Sequence, residues 1–195
     1  MNTFTIDANT IRAAQVCQAT SDVRYYLCGI CFMADGRVAG TDGHILAIGM
    51  PAGYKERVYF VDSADVPQDT IIKLQSKVPA NVSELTFYIE EKYCRTDKGT
   101  LIPFEYVDGK YPDINRIIPT LPRASHSTGL AIDSKLITRL GQAVAKGTEL
   151  HFYPGTQNDG VLVRTHSDFG DIHFVVMPKR TKQDNQFTSL QPSIA

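Results

Sequence analysis

Net charge, cysteine and long apolar runs are all scarce in this 195-residue chain. No apolar stretch approaches the ~20 residues of a membrane-spanning helix, so we expect no membrane partner. The amino-terminal MNTFTIDANTIRAAQ lacks the basic start and unbroken apolar core of a signal peptide, which predicts a cytoplasmic protein. The hydrophobic fraction of 43% and the charged fraction of 21% are typical of a globular protein.

The four cysteines do not have the arrangement of a redox or metal site. Two disulfides are possible by number, but a cytosolic location fits better. Cys17 falls in a predicted helix, and Cys28, Cys31 and Cys94 fall in predicted strands, whereas a redox CxxC pair usually opens a helix. The five histidines show no HExxH pattern or paired-cysteine spacing for zinc. We therefore expect buried thiols, no metal and no cofactor.

One pattern occurs three times along the chain. A short apolar strand is followed by an aspartate and a helix-like run, as TFTIDANTI (3–11), VYFVDSADV (58–66) and GLAIDSKLI (129–137). Asp7, Asp62 and Asp133, or the serines and Asp65 just after, are predicted helix N-caps, because such side chains accept the free N–H groups of the first turn. The predicted helices are Ala8–Thr20, Ser63–Lys77 and Ser134–Lys146.

Strand patterns separated by turn signals follow each predicted helix. Alternating Leu85, Phe87 and Ile89 are typical of a half-buried strand, while Asp35-Gly36 and Lys98-Gly99 predict turns. Each repeat is thus a β-α-β-β-β unit. Three such units, with helices on one face of antiparallel sheets, predict an α+β fold.

Composition also divides the chain. The proline- and arginine-bearing segment YPDINRIIPTLPRASHST predicts a boundary near Pro119 to Pro122. We expect a complete two-unit domain at residues 1–119, a half-domain of one unit at 120–180, and a flexible polar tail at 181–195.

Positive charge is concentrated on the predicted helices. They carry six bases and two acids, whereas the rest of the chain carries fourteen bases and nineteen acids. Lys135, Arg139, Gln142 and Lys146 follow helical spacing on one stripe. Such a surface suits phosphate contact without base recognition, although a solvated helix face is the ordinary explanation.

Four longer strings resemble the bacterial DNA sliding clamp, the beta subunit of DNA polymerase III. They are RYYLCGICF (24–32), TDGHILA (41–47), VDGKYPDINRIIP (107–119) and VVMPKR (175–180), and their order and spacing agree over residues 3–180. The family arginine after TDGH is Ile45 here, which we expect to remove a charge from beside the pocket described below.

The resemblance implies a clamp fold and a scaffold, not an enzyme. Clamps are rings that encircle double-stranded DNA without sequence preference and hold the polymerase during DNA replication. DNA polymerase and the clamp loader dock short linear peptides in a hydrophobic pocket between domains. An enzyme has little support in the residues, because no nucleophile or metal cluster accompanies Asp42 and His44.

Matching the strings residue by residue implies a pocket and, at Arg24, Tyr25 and Tyr26, a DNA contact, to which the helix charges add further positions. The predicted peptide pocket comprises Leu27, Thr41, Gly43, His44, Leu46, Pro112, Arg116, Ile117, Val175, Val176, Met177 and Pro178. The predicted DNA contacts are the basic helix positions and the start of RYYLCGICF, namely Arg12, Arg24, Tyr25, Tyr26, Lys73, Lys77, Lys135, Arg139 and Lys146. Ordinary strand packing remains the alternative for the valines and the tyrosine pair.

The repeat count also predicts an assembly. The resemblance covers the middle domain and the second half of the last domain of a clamp, so this chain has three of the twelve units of a ring. Four copies would supply twelve, which predicts a homotetramer whose like ends meet across two-fold axes. The alternative is a clamp mimic of phage or other mobile-element origin that forms no ring and sequesters clamp-binding proteins.

Overall fold

The computed structural model describes residues 3–49, 69–119, 131–155, 160–165 and 172–179. Within these ranges the helices are α1 (Ala8–Cys17) and α2 (Ser134–Ala143), with 3₁₀ turns at Tyr25–Cys28 and Ile114–Arg116. The strands are β1 (Thr3–Asp7), β2 (Ile30–Phe32), β3 (Val38–Thr41), β4 (Ile45–Gly49), β5 (Thr70–Leu74), β6 (Glu84–Tyr88), β7 (Tyr93–Thr96), β8 (Leu101–Tyr106), β9 (Leu150–Pro154), β10 (Val161–Thr165) and β11 (Ile172–Val176).

The strands form one antiparallel sheet in the order β1-β6-β7-β8-β5-β2-β3-β4-β11-β10-β9. The third unit joins the first directly, because β11 pairs with β4 and places Val175 opposite Leu46. The predicted α+β class is therefore confirmed. Neither of the two helices that the structure describes is long and apolar enough to cross a bilayer.

Helix α1 starts where its sequence predicts. The Asp7 carboxylate accepts the N–H groups of Asn9 at 2.8 Å and Thr10 at 3.2 Å, which satisfies two free donors of the first turn. Ile11 and Ala14 are among its six buried residues. The helix ends at Cys17, three residues before the predicted end.

Helix α2 has the same length and the same type of cap. Asp133 accepts the Lys135 N–H at 2.9 Å. Leu140 and Ala143 are its two buried residues, and they contact α1 and the sheet through a shared core cluster. The helix ends at Ala143, so Lys146 lies beyond it and the predicted end was too late.

The predicted helix over Ser63–Lys77 is wrong in its described part. Residues 70–74 form strand β5, which pairs with β2 on one side and β8 on the other. Ile71, Ile72 and Leu74 are buried there. The β-branched isoleucines favour a strand when two neighbouring strands are available. The start of that predicted helix, its caps Asp62 and Asp65, and the strand 58–62 lie outside the described residues.

One smaller prediction also differs from the structure. Tyr25 to Cys28 form a 3₁₀ turn, although the sequence pattern predicted a strand. The turns at Asp35-Gly36 and Lys98-Gly99 are confirmed, with Gly36 at φ 94° and Gly99 at φ 85°. Cys17, Cys31 and Cys94 are buried free thiols, as expected, and Cys28 is half-buried.

The two faces of the β4-β11-β10 region pack differently. Ile45, Ala47, Phe174 and Val176 point to the face that carries α1 and α2, in a helix-side core. Leu46, Leu162 and Val175 alternate with them and belong to a second cluster on the other face. Residues 120–122 of the predicted domain boundary and the tail 181–195 lie outside the described residues, so the domain division stays a prediction.

Candidate functional site

Aliphatic residues from three separate segments meet on the face of the sheet away from the helices. Leu27 follows the loop after α1, Leu46 lies on β4, and Val175 lies on β11. They share one buried cluster, with Ile117 packed against it. We call this group the pocket floor. Each of the three is at most 2% exposed, so a ligand would meet mainly the residues around them.

The 41–45 turn forms one side of the rim. The Thr41 hydroxyl donates to the Ile45 carbonyl at 2.8 Å and accepts the Gly43 N–H at 3.0 Å. The Asp42 carboxylate accepts the N–H groups of His44 at 2.8 Å and Ile45 at 3.1 Å. Gly43 has φ 92°, a conformation that glycine adopts most readily. The turn leaves Gly43 and His44 exposed at its tip.

The end of β11 continues the rim. The Met177 N–H donates to the His44 carbonyl at 3.0 Å, which joins the two chain segments. Met177 is 38% exposed and Pro178 is half-buried. An exposed methionine beside aliphatic side chains is an adaptable contact surface.

The segment 111–118 contributes further predicted pocket residues. Asp113 caps its 3₁₀ turn by accepting the Asn115 N–H at 3.1 Å, and Ile114 is fully buried in the same cluster as the pocket floor. Pro112 is half-buried. The Arg116 side chain is 85% exposed and pairs with Asp113 at 3.1 Å, so its guanidinium is available from solvent.

Two sequence assignments at the pocket need correction. Val176 is fully buried in the helix-side core, because successive strand residues point to opposite faces. Ile45 lies in that same core at 1% exposure. The isoleucine that stands where the family has arginine therefore fills the core beneath the helices and does not border the pocket.

A further residue of this cluster was not predicted from the sequence. Leu162 on β10 pairs with Val175 across the ladder and packs in the same cluster as the pocket floor. The alternation within VLVRT would have identified it, since Val161 and Val163 point to the helix side.

Arg12, a predicted DNA contact, is used within the chain. Its guanidinium donates to the carbonyls of Pro79 and Val82, each at 2.8 Å, and to the Asn9 side chain. Gln15, one turn further, bonds the backbone of Ser76 and Val78. Burial lowers the pKa of Arg12, against nearby carboxylates that raise it. This polar face of α1 thus holds the 76–82 segment.

Arg139 is also satisfied internally. Its guanidinium donates to the carbonyl of Val16 at 2.9 Å and that of Cys17 at 3.1 Å, at the end of α1. It also forms an ion pair with Asp42, and the two side chains are 26% and 19% exposed. The prediction that it contacts DNA from an open helix face is corrected accordingly.

The other predicted DNA contacts differ in their surroundings. Lys73 lies on β5 with its ammonium group 3.9 Å from Glu105, and Arg24 pairs with Asp22 at 2.8 Å. Tyr25 is 56% exposed and Tyr26 is half-buried against it. The remaining predicted lysines, Lys77, Lys135 and Lys146, are exposed like Lys73, and Lys77 and Lys146 lie beyond the ends of regular elements.

The Asp42 carboxylate is the most constrained acid beside the predicted pocket. Burial alone would raise its pKa, but hydrogen bonds from Arg139 and from the amides of His44 and Ile45 outweigh burial and hold the pKa below its usual value. Within the described ranges, no group of three or more His, Cys, Asp or Glu side chains is placed to hold a metal ion.

Comparison with known proteins finds bacterial sliding clamps. The beta sliding clamp of Escherichia coli K12 is 35% identical over 117 residues, which is 57% of this chain and 31% of the relative. The Salmonella typhimurium clamp is 32% identical over 134 residues, 66% and 36% of the two chains. No family model matches.

Solved structures extend the likeness to nearly the whole chain. The DNA polymerase III subunit beta from Pseudomonas aeruginosa superposes with a TM-score of 0.55 at 20% identity, covering 93% of this chain and 66% of that one. The chain has the fold of a bacterial DNA sliding clamp. An H. pylori beta clamp gives a TM-score of 0.57 at 12% identity, covering 91% and 66%.

These clamps are longer than the part that aligns. The matched segment spans about a third of the curated relatives, 31% and 36% in the two cases above. The resemblance to sliding clamps seen in the sequence is confirmed.

Proposed function

We propose that this chain is a DNA sliding clamp subunit that encircles duplex DNA as a homo-oligomeric ring and binds partner peptides at the rim around the pocket floor. The observation that carries the proposal is the clamp fold together with the convergence of Leu27, Leu46 and Val175. The expected partners are a DNA polymerase and a clamp loader, each through a short linear peptide.

The pocket has the chemistry of a peptide groove. Its floor is aliphatic, its rim carries Met177 and His44, and Arg116 offers an exposed cation. A few apolar anchor residues supply most of the binding energy in such recognition. The backbone hydrogen bond between Met177 and His44 holds the rim in place before a peptide binds.

Fewer residues would contact DNA than the sequence predicts. Arg12 and Arg139 bond the chain itself, so exposed Lys77, Lys135 and Lys146, with Arg24 and Tyr25, carry the proposed phosphate contacts. Contact with phosphates through a few lysines gives sequence-independent and salt-sensitive binding. That is the behaviour a sliding contact requires.

The two ends of the sheet are the proposed subunit contacts. Among the described strands, β1 and β9 each have a single neighbour. Strand β9 is exposed along most of its length and presents Phe152 at 41% and Tyr153 at 37% exposure. Open edges with apolar side chains tend to pair. Joining β9 to β9 and β1 to β1 across two-fold axes would close four chains into a ring.

Retention on circular DNA tests the ring. We expect a tetramer by native mass spectrometry at micromolar concentration, and we expect protein to stay on nicked circular DNA until the DNA is cut. The double variant Lys135→Glu/Lys146→Glu should lose at least about tenfold in retention, because two phosphate contacts become repulsive.

The matched control reverses two exposed lysines in loops of the first domain, Lys98→Glu/Lys110→Glu, and should be retained like the unaltered chain. A chain that stays monomeric and is not held by circular DNA would overturn the ring. If that monomer still bound peptide, the clamp-mimic function would replace it.

A further inference from the structure

We infer that Arg139 is a positioning residue for the peptide pocket: it fastens the 41–45 turn to the end of α1 and so fixes the pocket rim. The inference rests on the proposed peptide binding. Arg139 would thus act on the shape of the pocket through Asp42, although its helical spacing predicted a DNA contact.

The Arg139 guanidinium has little capacity left for an external ligand. Its Nε and Nη2 both donate to the Val16 carbonyl, at 3.3 and 2.9 Å, and Nη2 also donates to the Cys17 carbonyl. Its Nη1 donates to Asp42. All three nitrogens are therefore engaged, in a side chain that is 26% exposed.

The carbonyls of Val16 and Cys17, at the end of α1, form a site where a positive charge is favourable. Carbonyls in the last turn of a helix have no intrahelical donor, and the helix end carries partial negative charge. Arg139 supplies donors to Val16 and Cys17 from the neighbouring helix. It thereby attaches α2, in the third unit, to α1 in the first.

Asp42 transmits this attachment to the turn. One carboxylate oxygen, Oδ2, pairs with Arg139, while the other, Oδ1, accepts the His44 and Ile45 N–H groups. The carboxylate is thus held from both sides. Its position sets the path of the backbone that exposes Gly43 and His44.

The last link joins the turn to the rim. The His44 carbonyl accepts the Met177 N–H at 3.0 Å. A displaced 41–45 turn would shift Met177 and Pro178 as well as His44. A chain of polar contacts therefore runs from Arg139 through Asp42 and His44 to Met177, over residues from both the first and third units.

Peptide affinity tests the inference through a double-mutant cycle. The probe is a short fluorescein-labelled peptide with one glutamine and leucine and phenylalanine anchors, titrated against the full chain by anisotropy. Arg139→Gln removes the cation. Asp42→Asn keeps an oxygen for the His44 and Ile45 amides but removes the charge.

We expect each single change to weaken binding about five- to tenfold, because either change breaks the same partly buried ion pair between Arg139 and Asp42. The double variant should be no weaker than either single one, and Arg139→Lys should recover part of the loss. The control Thr138→Gln alters an exposed residue next to Arg139 on α2 and should leave peptide affinity unchanged. Additive losses, or unchanged affinity in Arg139→Gln, would overturn the inference.

Amide hydrogen exchange separates this inference from the proposed function. Arg139→Gln should speed exchange of the His44, Ile45 and Met177 amides at least about fivefold, with the Phe87 amide in β6 unchanged. If the unaltered chain bound no peptide, the proposed function would fail while this result stood. If each of the four amides exchanged at the same rate in Arg139→Gln as in the unaltered chain, the positioning role would be refuted whatever the affinities were.

Discussion

Helices α1 and α2 begin alike and end in different surroundings. Each is ten residues long and starts after an aspartate cap. Six residues of α1 are buried and only two of α2. Helix α1 contacts β1, β2, β3 and β4 as well as α2. The same local signal therefore produces a central helix in one unit and a marginal helix in another.

The difference follows from the side chains and from what covers them. Helix α1 is rich in alanine and lies close to β3, where Gly40 meets the Ala14 carbonyl. Its polar residues Arg12 and Gln15 bond the 76–82 segment. Helix α2 has Leu140 and Ala143 inward and leaves Lys135 and Ile137 exposed. Within the described residues, the first helix therefore contributes more side chains to the core, and the second keeps the more exposed face.

The prediction with the largest expected effect on stability compares one isoleucine in each helix. Ile11→Ala should lower the free energy of unfolding by about 3 kcal/mol, because a fully buried side chain is replaced by a cavity. Ile137→Ala, at a position 42% exposed, should change it by less than about 0.5 kcal/mol. Urea unfolding followed by circular dichroism measures both. Similar losses would show that the helices are equally central.

A second test compares glycine to alanine changes. At Gly40 a new methyl group would overlap the Ala14 carbonyl, so Gly40→Ala should destabilise by about 2 kcal/mol. At Gly141, inside α2, no neighbouring atom of the described residues lies within 4 Å of the new methyl group. Gly141→Ala should therefore stabilise by about 0.5 kcal/mol, since alanine favours a helix. Thermal unfolding measures both changes in stability, which should have opposite signs. A stabilised Gly40→Ala would contradict the close packing of α1.

The smallest test compares the two caps. Asp7 accepts two backbone N–H groups and the Thr10 hydroxyl, whereas Asp133 accepts one N–H. Asp7→Ala should cost about 1.5 kcal/mol and Asp133→Ala about 0.5 kcal/mol. Asparagine at either position restores most of the cap and serves as the control. Equal costs would mean that the number of accepted bonds does not set cap strength here.

Sequence reasoning worked best where a local rule decides the outcome. The caps Asp7 and Asp133, the turns at Gly36 and Gly99, and the strand containing Leu85 and Phe87 all lie where predicted. Four of the predicted pocket residues, Leu27, Leu46, Ile117 and Val175, also meet in one cluster, while their part in binding stays a prediction.

The misplaced predictions concern residues whose partners are distant in sequence. Thr70–Leu74 became a strand because β2 and β8 lie on either side of it. Val176 and Ile45 turned to the helix side by strand alternation once the register of β4 and β11 was set. Arg12 and Arg139 have helical spacing typical of a surface stripe, yet distant carbonyls occupy them.

The amino-acid sequence by itself determined the first β-α-β-β-β unit, the starts of both described helices and the turns, because each depends on residues a few positions apart. It also showed the likeness to sliding clamps, which rests on matched strings of residues. Tertiary structure alone decided which cations remain free and which face each strand residue takes. A guanidinium bonds whichever carbonyls the fold brings within reach, and no local pattern specifies residues such as Val16 and Asp42, which are about a hundred positions away from Arg139.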